Sequence, residues 1–413
     1  MQYSIIDASF SEKNQPGRGA SAEYLLWELH RHDLQEVRPA QSDIMLVTCV
    51  HPIQATQLKG LRKRYPSKII IVGGPASTSP YELGKYCNMI CCGDGQHFLH
   101  TLFTLGLNAA VGCSNVWVDG DTRRVTVDQG FPWGMPPIEN ESGAVAFWLG
   151  RGCKNKCSFC QTGWAYTYSE NPNPDRLIQQ INTVRQRHPK IAYTSNDTLQ
   201  HSFFSQLPTT GAGSYSFKFI REHGLPPSRT VRIGVEGVSA RLRKSVKKPI
   251  SSDDLVGCTS WLNANKKAVR WFMIADLPGE TQADWEQLKA DLLRWKEITP
   301  KGTLGVSFTA FCPDPATPLA VVPLSDDYYP RWEDFKEWFF GGVGWSNRIK
   351  IMAPQGPENR MKKAMASMGL SEAELRDGGH AGPNARMIYP YEKTVDKLRE
   401  SMGYGKEECN SQI

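Results

Sequence analysis

Short apolar runs alternate with amphipathic stretches over the first hundred residues. Helical periodicity marks Ala20–His32 and His97–Leu105. Strands alternating with helices are typical of parallel βαβ units, so we expect a doubly wound, Rossmann-like α/β domain over residues 1–106. Four apolar runs predict its strands: Tyr3–Ala8, Asp43–Val50, Lys68–Val72 and Met89–Cys92.

A break in this alternation predicts a linker with a small hairpin over residues 107–143. Val116–Val118 and Arg124–Val127 flank the turn residues Gly120–Asp121, and prolines follow. The alternation then resumes, with helical periodicity in Asp175–Arg187 and Gln282–Glu297. Its predicted strands are Ala144–Leu149, Ile191–Thr194, Thr230–Val235, Val269–Ile274 and Gly305–Phe311.

This second series predicts a partial β/α barrel over residues 144–325. The remaining residues, 326–413, are rich in tryptophan and glycine, and we expect a small α-rich region that covers the substrate. Its aromatic residues are more typical of a core than of a pocket.

Composition narrows the class of protein. The 413-residue chain carries a formal charge of +6, which is too small to indicate nucleic-acid binding. It has neither a secretory signal nor an apolar run near the roughly 18 to 20 residues of a membrane span. We therefore expect a cytoplasmic protein without a membrane partner. Its 11 cysteines are an odd number, which excludes a complete disulfide framework.

Three of these cysteines lie within eight residues, in the segment Gly150–Gln161. Cys153, Cys157 and Cys160 follow a predicted strand directly. Thiolates are the natural ligands of iron–sulfur clusters, and three of them leave one iron of a [4Fe–4S] cube open. A zinc site with one distant ligand, a disulfide with a spare thiol and chance clustering are the alternatives.

The spacing C-x3-C-x2-C, with Phe159 before the last cysteine and a position in the first βα loop of a barrel, resembles the signature of the radical S-adenosylmethionine (SAM) superfamily. That resemblance implies that SAM chelates the open iron. One electron from the cluster then cleaves SAM to methionine and a 5′-deoxyadenosyl radical. It also implies an external donor of the flavodoxin or ferredoxin kind.

The resemblance assigns further residues. A polar helix-capping turn is the alternative at residues 195–197, and a solvated carboxylate is the alternative at Glu236. Cys312 follows the last barrel strand, where it is either a catalytic radical quencher or proton donor, or an inert buried thiol. The SAM-binding residues that the resemblance implies are Phe159, Ser195, Asn196, Glu236, Ser239 and Met273.

The N-terminal domain resembles the cobalamin-binding type that precedes the radical SAM domain in one branch of the superfamily. Ile71–Pro75 and Gly93–Gln96 carry the likeness, and it implies that Gly73, Gly74, Gly93 and Asp94 contact cobalamin. No D-x-H-x-x-G motif supplies a histidine for cobalt.

The leading interpretation is a cobalamin-dependent radical SAM methyltransferase that acts on an unactivated carbon. One alternative is a cobalamin-independent radical SAM oxidation, rearrangement or thiolation with a vestigial N-terminal domain. An alternative of another class is a non-catalytic zinc- or corrinoid-binding protein. The sequence does not disclose the substrate.

Overall fold

The computed structural model describes residues 1–8, 20–118, 125, 127, 130–131, 133–139, 143–315, 317–320, 322–342, 344 and 346–377. Half of the predicted second hairpin strand, Arg124–Val127, and the chain after residue 377 lie outside this part. No helix in the described part is both long and apolar enough to cross a membrane.

The N-terminal sheet has the order β1-β2-β3-β4-β5. The first four strands are parallel, and β5 runs antiparallel to β4. Its strands are β1 (Tyr3–Asp7), β2 (Ile44–Thr48), β3 (Ile69–Gly73), β4 (Met89–Cys91) and β5 (Val116–Val118). Its helices are α1 (Ala20–Arg31), α2 (Ala55–Arg64), α3 (Pro80–Gly84), α4 (Gln96–Leu105) and α5 (Leu107–Val111). The four strands predicted for this region are confirmed to within two residues.

Helices cover both faces of this sheet, because its buried strands alternate their side chains between two apolar cores. Leu46 and Ile71 pack with α1 and α4, whereas Val47 and Val72 pack with α2 and α3. A parallel bridge joins Glu36 to Tyr3, so the chain after α1 runs along the outer side of β1 before it returns to β2. The winding direction therefore changes between β1 and β2, and such a change opens a crevice at the carboxyl ends of the strands.

The rest of the described chain forms a second α/β unit. Its largest sheet has the order β11-β12-β13-β14-β15, with all neighbours parallel, and β10-β7-β6 and β8-β9 are smaller sheets. The strands are β6 (Ile138–Glu139), β7 (Val145–Trp148), β8 (Gly150–Arg151), β9 (Ser169–Glu170), β10 (Ile191–Thr194), β11 (Thr210–Tyr215), β12 (Ser228–Glu236), β13 (Ala268–Ala275), β14 (Leu304–Ala310) and β15 (Ile349–Met352).

Helices alternate with these strands, as the apolar periodicity predicted. They are α6 (Gln161–Ala165), α7 (Pro174–Arg187), α8 (Phe217–His223), α9 (Ala240–Ser245), α10 (Ser252–Ala264), α11 (Gln282–Ile298), α12 (Tyr328–Phe340), α13 (Pro357–Met368) and α14 (Glu372–Asp377). All five strands predicted after residue 143 are present, but β8, β9, β11 and β15 were not predicted.

The tryptophan-rich stretch after residue 325 belongs to the core of this unit. Trp285 stacks on Phe308 with ring centroids 5.5 Å apart, and Trp332 and Phe335 of α12 pack against both rings. Strand β15 extends the same sheet. The sheet therefore continues past residue 325, where we expected the barrel to end.

A buried network of charges fastens the C-terminal helices to the end of β13. The carboxylate of Asp276 lies 2.7 Å from Arg360 of α13 and 3.1 Å from Arg331 of α12. Arg360 is 2% exposed and donates to the backbone oxygen of Phe311 at 2.6 Å. Arg331 also faces Glu280 at 3.4 Å. Each buried charge in this network therefore has an opposite charge beside it.

We expect Arg360→Leu to lower the free energy of unfolding by about 3–5 kcal/mol, because it leaves a buried carboxylate without its closest cation. Urea unfolding followed by tryptophan fluorescence measures the change. The matched control is Lys362→Leu on the same helix, which removes an exposed ion pair with Glu358 and is expected to cost under about 1 kcal/mol. Equal, small losses in both variants would contradict a stabilising role for the network.

Candidate functional site

The cysteine-bearing loop begins at the carboxyl end of β7. Gly152 has a φ of +69°, and a Cβ there would lie 2.6 Å from the backbone oxygen of Thr167, so only glycine fits this turn. Two side chains fix the loop from outside: Asn196 donates to the oxygen of Gly152 at 3.0 Å, and Trp164 donates to the oxygen of Cys157 at 2.8 Å. The loop is therefore held at both ends of its first cysteine pair.

Cys153, Cys157 and Cys160 line a single cavity of about 240 Å³, and none of them is in a disulfide. Burial raises the pKa of the Cys157 thiol to about 12, against the opposite effect of Lys248. In the described part of the chain, no group of three or more histidine, cysteine, aspartate or glutamate side chains is placed so that it could hold a metal ion.

The same cavity is lined by a partly buried ion pair. Glu236 ends β12 at a bulge, with a φ of +71°, which is uncommon for a residue other than glycine. Its carboxylate lies 2.7 Å from the ammonium of Lys248, which also donates to the oxygen of Gly234 at 3.0 Å. Although burial opposes the charge on Lys248, Glu236 and the cysteine thiolates raise its pKa above the ordinary value. The sequence analysis missed Lys248, because nothing in the Lys247–Lys248 pair marks the second residue as buried.

Residues of the turn after β10 line the cavity and also make hydrogen bonds that stabilise the fold. Asn196 lines the cavity. Asp197 is buried, accepts hydrogen bonds from the backbone of Leu199 and Ser216, and has its pKa raised to about 6 by burial. Ser195 bonds His201 at 2.7 Å, away from the cavity lining. Asn196 and Asp197 therefore both line the cavity, and Asp197 also caps the short helix that follows β10.

The other predicted residues are scattered. Phe159 lines the cavity, and so does Phe272, rather than the neighbouring Met273, which is buried in the core. Ser239 caps α9 and donates to Asp284 at 2.5 Å. Cys312 lies in a separate cavity of about 180 Å³, where burial raises its pKa to about 11. Met273, Ser239 and Cys312 are thus outside the lining of the cysteine cavity.

A further cavity, of about 150 Å³, lies at the carboxyl ends of β2, β3 and β4. All four residues predicted to contact cobalamin line it: Gly73, Gly74, Gly93 and Asp94. Gly74 has a φ of +91°, and a Cβ there would lie 2.7 Å from the oxygen of Cys49, whereas the nearest atom to a Cβ at Gly73 is 3.9 Å away. The hydroxyl of Thr48 is buried here and has no hydrogen-bond partner among the described residues.

One ion pair links this N-terminal cavity to the cysteine loop. Arg151, two residues before Cys153, lies 2.7 Å from Asp94 and stacks on Tyr166 at 3.7 Å. Gln161, directly after Cys160, donates to Thr78 at 2.6 Å. The N-terminal domain therefore contacts both ends of the cysteine loop, at Arg151 beside the N-terminal cavity and at Gln161 beside the cavity of Cys312, and neither contact was predicted from the sequence.

No protein-family model and no curated protein matches the sequence. Solved structures match its fold. TsrM of Kitasatospora setae, a radical SAM methyltransferase with cobalamin and a [4Fe–4S] cluster bound, superposes with a TM-score of 0.58 at 12% identity, over 97% of this chain and 100% of that one. TsrM with tryptophan substrate and a SAM analogue gives 0.59 at 12% identity, over 97% and 99%.

OxsB, a cobalamin-dependent radical SAM enzyme with aqua-cobalamin and SAM bound, gives a TM-score of 0.57 at 12% identity, over 98% of this chain and 62% of that one. The chain thus has the fold of the cobalamin-dependent radical SAM enzymes, as its sequence motifs predicted.

Proposed function

We propose that the chain is a radical SAM enzyme that holds one [4Fe–4S] cluster on Cys153, Cys157 and Cys160. The observation that carries the proposal is that three thiols from one loop open into a single cavity, beside a partly buried ion pair. The donor set fits the cluster, because thiolates are its usual ligands and three of them leave one iron open for SAM. The cluster, when bound, supplies the electron that cleaves the sulfonium bond of SAM.

The residues around the cavity have separate tasks in this proposal. Lys248 offsets the negative charge of the thiolates. Glu236, held by Lys248, accepts a hydrogen bond from the ammonium or a ribose hydroxyl of SAM. The rings of Phe159 and Phe272 exclude water from the reacting bond. The ligand-binding groups thus come from the ends of different strands, as is usual in β/α barrels.

We further propose that the N-terminal cavity binds cobalamin and that the reaction is methylation of an unactivated carbon. Bare backbone at Gly73, the unpartnered hydroxyl of Thr48 and the apolar walls formed by Phe98 and Leu99 fit a large ring with polar edges. The cavity encloses about 150 Å³, so it would hold only part of the corrin. Cobalamin, when bound, supplies the methyl group. Asp94 and Arg151 fix this cavity against the cysteine loop.

Removing a cluster ligand is the first test. We expect Cys157→Ala to lose the iron–sulfur absorbance and all 5′-deoxyadenosine production, because each thiolate holds one iron. Iron analysis and chromatography of the SAM products measure both. Cys258→Ala, which removes a free thiol from α10, is the control and should keep both. Full cluster iron and full SAM cleavage in Cys157→Ala would exclude the assignment.

A second test separates SAM binding from cluster binding. Glu236→Gln should weaken SAM affinity roughly 10-fold to 100-fold, because a hydrogen bond to a charged group contributes about 1.5–3 kcal/mol. Iron content should not change. Equilibrium dialysis with labelled SAM gives the affinity, and Glu297→Gln, at an exposed position on α11, is the control. An unaltered SAM affinity would mean that Glu236 pairs with Lys248 but does not contact SAM.

Cobalamin binding is tested at Gly73, where the nearest atom to an added Cβ would be the backbone oxygen of Cys91 at 3.9 Å. We expect the parent protein to retain about one equivalent of hydroxocobalamin per chain through gel filtration, as one preformed site would. Gly73→Leu should lose this retention and keep its iron, because leucine fills the cavity. Gly60→Leu, on the exposed side of α2 with open space around it, should behave like the parent.

If the parent protein retained no cobalamin, the methylation proposal would fail, although the SAM-cleavage proposal would stand. Retention by Gly73→Leu equal to that of the parent would place cobalamin elsewhere.

A further inference from the structure

Another cavity, of about 430 Å³, adjoins the cysteine cavity, and its lining carries more cations than carboxylates. Four residues line both: Asn155 of the cysteine loop, Ser216, Gly234 and Lys248. The remaining charged groups of its lining are three cations and one carboxylate: Lys218, Arg221, Lys247 and Glu222. One layer of residues therefore separates a cationic surface from the proposed cluster.

Trp164 extends this surface to the backbone of a cluster cysteine. Its indole nitrogen donates to the oxygen of Cys157 at 2.8 Å, and the ammonium groups of Lys247 and Lys156 lie 5.0 and 5.7 Å from its ring centroid. Both lysines are exposed, and neither pairs with a carboxylate within the described chain. We name Lys156, Lys218, Arg221 and Lys247 the cationic rim.

Neighbouring carboxylates neutralise the rim only in part. Lys218 lies 3.9 Å from Glu222, and Arg221 lies 3.8 Å from Asp254. Both cations have side chains that are 63% exposed, and exposed pairs at such distances contribute little. The rim thus has a positive excess, and it lies beside the loop that the proposed reaction must supply with electrons.

We propose that the cationic rim docks an acidic one-electron carrier protein with a flavin or iron–sulfur centre, which reduces the cluster from this side. This inference rests on the proposed function, because reductive cleavage consumes one electron for each SAM. The carrier loses one electron and the cluster gains it, with no bond formed or broken. Complementary charge speeds and orients such an encounter. The hydrogen bond from Trp164 to the backbone oxygen of Cys157 gives electrons from the docked carrier a route to the cluster.

The test compares two reductants. We expect Lys218→Glu/Lys247→Glu to slow 5′-deoxyadenosine formation at least 10-fold when reduced flavodoxin is the donor at low salt. With reduced methyl viologen, a small cation, the rate should not fall. Added salt should slow the parent protein with flavodoxin but not the variant, because screening removes only an attraction that exists. The matched control is Lys301→Glu/Lys350→Glu, two exposed lysines near the amino ends of β14 and β15, away from the loop.

Each outcome has one meaning. An unchanged flavodoxin-supported rate in the rim variant would overturn the docking proposal. An equal loss with both reductants would also overturn it, since the rim would then act on the cluster itself. If the parent protein cleaved no SAM with either reductant, the proposed function would fail first.

Discussion

The structure depends on one geometric constraint: parallel strands place their carboxyl ends at the same edge of a sheet. In the N-terminal sheet this brings Thr48, Gly73 and Asp94 to one cavity, although they are far apart in sequence. In the second unit it brings the cysteine loop after β7 together with Asn196 after β10 and Glu236 at the end of β12. The side chains differ, but each cavity is made by the direction of its strands.

At the ends of two neighbouring strands, a carboxylate pairs with a cation in the same way. Glu236 at the end of β12 and Asp276 at the end of β13 both have positive φ, at 71° and 62°. Each carboxylate is held by a buried cation, Lys248 in one case and Arg360 in the other. The first pair lines the cavity, whereas the second anchors the C-terminal helices. The same backbone conformation therefore places one carboxylate at the cavity and the next at the anchor of the C-terminal helices.

Strong local patterns explain what could be predicted from the sequence. Apolar, β-branched runs identified β2, β3, β12, β13 and β14, and the cysteine spacing identified the loop, because both signals lie within a few residues. Strand β11 was missed because its sequence, Thr-Gly-Ala-Gly-Ser-Tyr, has small and polar residues where a strand usually has large apolar ones.

The cavity residues were harder to predict, because their positions depend on tertiary contacts. Lys248 and Arg151 look like surface cations in the sequence and acquire partners only when distant strands meet. Ser239 was predicted to bind SAM, but it caps α9, and Asp197 lies in a turn for which helix capping was the alternative and caps the short helix after β10. Which polar residue of a turn faces a cavity depends on a backbone direction that composition does not contain.

The ion pair between Arg151 and Asp94 has a consequence for the cysteine loop. Because Arg151 lies two residues before Cys153, the position of Asp94 helps to fix the position of the first cysteine. The cysteine loop is therefore shaped in part by the N-terminal sheet, so a change at the carboxyl end of β4 can alter the geometry of a loop that belongs to the other unit.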